Sequence, residues 1–136
     1  MTVSVVTLTS DVLRDVLAHA RDAAPAECCG LLVGRGDTVV EAVRARNVAE
    51  SPNRFLIDAK DHIDERRRAR ARGLEIVGFY HSHPHSAAEP STTDRAEAGY
   101  PDHLFLIVGL REEPPDIRLF RLTEGNFLEV LFVTVG

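Results

Sequence analysis

The chain has 136 residues, 44% of them hydrophobic and 27% charged, with a formal net charge of −5. That is the size and balance of one soluble globular domain able to bury its own core, and no apolar run approaches the roughly 20 residues a membrane helix needs. The acidic balance argues against general nucleic-acid binding, and the start "MTVSVVTLTSDVL" lacks the basic, apolar and small-residue pattern of a signal peptide, so a cytoplasmic protein with no nucleic-acid or membrane partner is expected.

Residues Val3 to Leu8 are β-rich. Behind Ser10 as a helix N-cap, "TSDVLRDVLAHARDA" places Val12, Leu13, Val16, Leu17 and Ala20 on one helical stripe that stops before Pro25. "CCGLLVGRGDTVVEAVRARNV" reads as a hairpin around a Gly34 to Asp37 turn. Its two cysteines, Cys28 and Cys29, are adjacent, which excludes a disulfide framework and fits a reducing compartment. "RFLIDA" suits a short strand, and Ala59 to Arg72 a charged, exposed helix closed by Gly73. The five arginines between Arg66 and Arg72 read as its solvated face, with a docking surface for an acidic partner as the alternative. "LEIVGFYHSH" is a buried strand running straight into histidines, "STTDRAEAGY" a short helix, and "HLFLIVGL", "IRLFRL" and "FLEVLFVTV" are further strands. With no repeat, linker or low-complexity segment, one domain over residues 1–136 is expected: a mixed sheet with two or three helices packed on it.

The chemistry concentrates in "HSHPHSAAEPSTTD", residues 81–94. On a strand, alternate side chains share a face, so His81 and His83 project together while Tyr80 and Ser82 point away. Their Cα atoms, ~6.6 Å apart, would let both rings reach one zinc at about 2.0 to 2.1 Å. Asp94 could supply a third ligand and leave the fourth position to water. The same residues also read as a polar loop followed by an S-x-x-D capping box from Ser91 to Asp94. Spacing alone leaves both readings open.

The string H-S-H-P followed by Asp94 in "STTD", with ten residues between His83 and Asp94, resembles the signature of the JAMM metalloproteases of the MPN domain family. "AECCGLLVG" is similar to the family's upstream glutamate segment, with Glu27 at the matching position. The resemblance covers nearly the whole chain. It implies an α/β fold of the α+β type, MPN or cytidine-deaminase-like, with a curved, mostly antiparallel sheet and a site at the end of a central strand. It further implies one Zn2+ per chain held by His81, His83 and Asp94, Glu27 as the base that takes the proton of the attacking water, Ser91 as the donor to the oxyanion, and hydrolysis of peptide or isopeptide bonds.

Only a compact segment separates Asp94 from His103, so the long insertion with which the family's eukaryotic deubiquitinases grip polyubiquitin has no counterpart here. The chain resembles stand-alone bacterial members that act on ubiquitin-like β-grasp sulfur-carrier proteins, removing an amino acid such as cysteine or another attachment after the terminal Gly-Gly. "NVAESPNRFLIDAKD" is similar to the cysteine-releasing members. The alternatives are a noncatalytic MPN scaffold, which would be expected to lack the ligands retained here, a small zinc peptidase without carrier specificity, and a DNA-repair-associated relative, whose H-N-H-P motif differs at Ser82. Cys28 and Cys29 read as small buried residues rather than nucleophiles, and His85 and Glu89 as solvated loop residues near the site. His19, His62 and His103 lie outside the pattern.

Overall fold

The computed structural model describes residues 5–49, 54–91 and 100–136. In chain order it contains β1 (Val5–Thr9), α1 (Ser10–Ala23), β2 (Cys29–Arg35), β3 (Thr38–Ala45), α2 (Ala59–Ala71), β4 (Glu75–His83), β5 (Leu104–Gly109), β6 (Asp116–Thr123) and β7 (Asn126–Val135). The strands lie side by side as β1-β3-β2-β4-β5-β6-β7, and β1 also pairs with β7, so the sheet curls until it closes. Four pairings are antiparallel (β2 with β3 and β4, β6 with β5 and β7) and three are parallel (β1 with β3 and β7, β4 with β5). The expected α+β class, with its curved, mostly antiparallel sheet, is therefore what the chain forms, with two helices among the described residues.

Each helix covers one face of the sheet. The α1 stripe of Val12, Val16 and Ala20 packs with Val6, Leu8, Leu32, Val39, Tyr80 and Leu106, with Leu13 and Leu17 at its margin. On the opposite face α2 contributes Ala69 to a second cluster with Leu31, Val33, Phe79 and Phe105, and the rest of this polar helix stays largely outside the core. Burying these side chains removes the apolar surface that drives folding, and the alternation along β4 assigns Tyr80 to one cluster and Phe79 to the other.

Three local expectations are corrected or left aside. The N-cap of α1 is Thr9, whose hydroxyl accepts from the Val12 N–H at 3.3 Å, whereas Ser10 lies within the helix and donates to the Val135 carbonyl at 3.3 Å. "RFLIDA" is not a strand: from Arg54 on it makes a single bridge, Asn47 with Ile57, because the Asn47 side chain takes the Leu56 amide at 2.9 Å that a strand ladder would use. The short helix expected at "STTDRAEAGY" falls on residues 92–99, outside the described residues. The arginine run is partly engaged within the chain. Arg68 and Arg72 reach Glu41 at 3.5 and 2.7 Å, and Arg66 donates to His62 at 2.8 Å and lies 5.3 Å from the centre of the Tyr100 ring.

Candidate metal centre and active-site cleft

β4 is the central strand that carries the site. It is flanked by β2, which pairs Cys29 with His81, and by β5, which pairs Ile107 with His81 and Gly109 with His83. Alternation turns His81 and His83 to one face, where their Nε2 atoms stand 3.2 Å apart. The intervening side chains turn the other way: Tyr80 meets His19 Nδ1 at 2.7 Å, and the Ser82 hydroxyl accepts the Cys28 N–H at 2.8 Å. The Ser82 N–H in turn donates to the Cys28 carbonyl at 3.2 Å. This two-point clamp fixes the backbone beside Glu27. Gly30 is required next to it, because a Cβ there would lie 2.1 Å from the Tyr80 ring.

Glu27, His81 and His83 are 4%, 1% and 5% exposed, and one ligand atom from each falls within 4.8 Å of the others. Ionisable groups are seldom this buried unless a partner or cation compensates them. The donor set suits zinc. Two nitrogens bonded to one tetrahedral zinc at about 2.0 to 2.1 Å stand about 3.3 to 3.4 Å apart, close to the separation of the two imidazoles. The orientation of His83 agrees: its Nδ1 lies 2.8 Å from the Ala87 carbonyl, which can only accept, so the proton sits on Nδ1 and the Nε2 lone pair faces the site. His81 is held from the side by Phe55, whose ring stacks on it at 4.3 Å and 21°. Asp94 lies outside the described residues.

Beside the cluster a cleft of about 600 Å³ is lined by Glu27, His83, His85, Glu89, Ser91 and Arg111, among others. The structure thus brings Glu27, both histidines and Ser91 into one place. His85 and Glu89 sit exposed on its rim, as expected for loop residues. The cysteines keep to their packing role: burial pushes the Cys28 thiol up to about 11 and that of Cys29 up to about 12, so neither forms the thiolate a nucleophile needs.

Sequence reasoning did not single out Asn47, Phe55 or Ser82 as parts of the site. Asn47 donates to the Glu27 carbonyl at 2.9 Å and to the Arg54 carbonyl at 3.2 Å, and accepts from the Ala49 and Leu56 amides at 3.0 and 2.9 Å. One side chain therefore ties the backbone of Glu27 to the segment that presents Phe55 to His81. The strand parity of Ser82 was readable; nothing in the spacing of Asn47 or Phe55 signals a role.

The chain is similar to known proteins in sequence and in fold. The chain is 40% identical to the desampylase of Haloferax volcanii over 114 residues, covering 79% of this chain and 82% of that protein. It is 30% identical to the CysO-cysteine peptidase of Mycobacterium tuberculosis over 131 residues, covering 94% and 90%. A JAB1/MPN domain protein from Archaeoglobus fulgidus shares the fold, with a TM-score of 0.62 at 21% identity over 96% of this chain and 99% of that one. The model of the prokaryotic homologues of the JAB domain matches residues 9–123, and the chain belongs to that JAB/MPN family of JAMM metalloproteases.

Proposed function

We propose that the protein is a zinc-dependent hydrolase that cuts the bond after the C-terminal Gly-Gly of a ubiquitin-like sulfur-carrier protein, releasing an amino acid or a lysine-linked protein. The observation that carries the reading is the buried Glu27, His81 and His83 cluster at the wall of an open cleft. A noncatalytic scaffold has no use for this donor set. The similarity to a desampylase and to a CysO-cysteine peptidase supports a carrier as the substrate.

His81, His83 and Asp94 would hold one zinc, which when bound supplies Lewis-acid polarisation of the scissile carbonyl and acidification of a water. Glu27 stands close enough to the imidazoles to take the proton of a water held there and to pass it to the leaving amine. Ser91, on the same cleft, donates its hydroxyl to the oxygen on which negative charge develops. A diglycine tail is narrow enough to pass Ser91, and its lack of side chains lets the backbone approach closely. Binding energy then comes mainly from the folded carrier.

The test compares kcat/KM for a carrier–cysteine or carrier–lysine conjugate with that for a short peptide of the same terminal sequence, mass spectrometry placing the cut. Efficient cleavage of the conjugate after Gly-Gly and poor cleavage of the peptide are expected. Equal efficiency on both would favour a small peptidase, and zinc-loaded protein inactive on every conjugate would favour the scaffold.

A further inference from the structure

The cleft beside the metal cluster does not end at Ser91. It adjoins a second cavity of about 440 Å³ at the β5–β6 end of the sheet, and Ser86, Ala87, Glu89 and Arg111 line both. Arg111 is the one arginine or lysine among the described residues lining the first cleft. Its place is set by strand pairing. His83 pairs with Gly109, and the Leu110 N–H donates to the His83 carbonyl at 3.0 Å, so Arg111 follows two residues beyond the partner of a metal-site histidine. The loop after β4 presses on that point: a Cβ at Gly109 would lie 2.7 Å from the Ser86 carbonyl oxygen and 2.8 Å from the Ala88 nitrogen. The loop and the end of β5 therefore hold Arg111 at the junction of the two cavities.

The other charges around the junction sharpen the reading. Arg118, which lines the second cavity, is engaged by Glu89 at 3.5 Å and Asp116 at 3.4 Å. Arg111 is 58% exposed and approaches its sequence neighbour Glu112 across 3.9 Å, a long contact between two exposed groups that is worth little. Its guanidinium thus keeps most of its capacity for a planar anion.

Building on the carrier reading above, we infer that Arg111 binds the free α-carboxylate of the leaving amino acid and so selects carrier–amino-acid conjugates over lysine-linked proteins. An amino acid attached through its α-nitrogen carries a carboxylate two bonds from the scissile nitrogen; a lysine side chain has an uncharged methylene there. In a cleft that also contains Glu27 and Glu89, that carboxylate needs a compensating cation, and a guanidinium meets it through two parallel N–H···O bonds. The second cavity then receives the side chain of the released residue.

The experiment uses two carrier fusions ending in Gly-Gly-Cys, one with the free carboxylate and one with a carboxamide, cleaved by zinc-loaded wild-type protein, R111Q and R111K. The quantity read is the acid-to-amide ratio of kcat/KM, which a purely structural role would leave alone. The wild-type ratio should be about 10, as a charge-assisted bond at a partly exposed site gives. It should fall to about one in R111Q and to an intermediate value in R111K, which keeps the charge without the fork. A wild-type ratio near one, or an R111Q ratio equal to that of the wild type, would overturn the inference while leaving the carrier reading intact. Wild-type protein that cleaves neither fusion but cuts a carrier–lysine conjugate would overturn the inference alone, and protein inactive on all three would overturn the carrier reading with it.

Discussion

Replacing Asn47 with alanine removes four hydrogen bonds at once, two given to the Glu27 and Arg54 carbonyls and two accepted from the Ala49 and Leu56 amides. At about 1 kcal/mol each the loss would approach 4 kcal/mol, but the bonds to Arg54 and Leu56 are exposed and water replaces them, leaving about 2 kcal/mol. For a domain of this length that lowers Tm by about 6 to 8 °C. The effect on turnover follows a different route. The residue-27 carbonyl loses its tether, and the segment carrying Phe55 loses the contact that presents the ring to His81. A displacement of about 1 Å or less at a catalytic group costs on the order of tenfold or more in kcat. N47D separates donors from acceptors: it keeps acceptors for the two amides and turns a negative oxygen toward the two carbonyls, so it should lose at least as much turnover as N47A. Thermal unfolding followed by circular dichroism, with kcat measured well below each Tm, reads both effects. Unchanged Tm together with unchanged kcat in N47A would refute the assignment of Asn47 as the link between Glu27 and Phe55.

Glu27→Gln should retain fold and zinc and lose about 10² to 10⁴ in kcat, because the amide keeps the shape and cannot accept a proton; single-turnover rates check it, and unchanged turnover would place the base elsewhere. Ser91→Ala should lower kcat by about 10² to 10³ with little change in Tm if the hydroxyl serves the oxyanion. A Tm shift with normal turnover would reduce Ser91 to a cap. His19 gives a pH signature of stability. Burial first, and then the Arg44 charge, lower its pKa from 6.5 to about 4, while Asp22 opposes them. Between those values the unfolded chain binds a proton that the folded chain refuses, so stability is fully present above about 6.5 and falls as pH drops toward 4. His19→Gln, which keeps a partner for the Tyr80 hydroxyl, should flatten the dependence of Tm on pH across that window; an identical slope in both proteins would exclude His19 as its source.

Much of the site was legible because a few residues encode it locally. His81 and His83 needed only strand alternation to share a face, and the dense apolar run before them marked β4 as buried. Glu27 was placed by the resemblance of "AECCGLLVG" to the family's glutamate segment, and its approach to the histidines comes from the pairing of β2 with β4, which the residue pattern did not specify. What escaped reading depends on contacts between distant segments. Asn47 acts through loop carbonyls and amides that carry no side-chain pattern, and Arg111 reaches the cleft through the register of β5 on β4. The closing pair of β1 and β7 is parallel and joins the two ends of the chain, a pairing no local periodicity specifies. Thr9 and Ser10 are both good caps; in the fold Thr9 takes the Val12 amide and the Ser10 hydroxyl bonds the Val135 carbonyl of a distant strand.

If His81 and His83 are metal ligands, elemental analysis of the purified protein reads it out. Wild-type protein should carry one zinc per chain, and the His83→Ala protein, folded by circular dichroism, should carry essentially none, since it loses one of three protein bonds to the ion. Full zinc occupancy in His83→Ala would show that His83 is not a ligand.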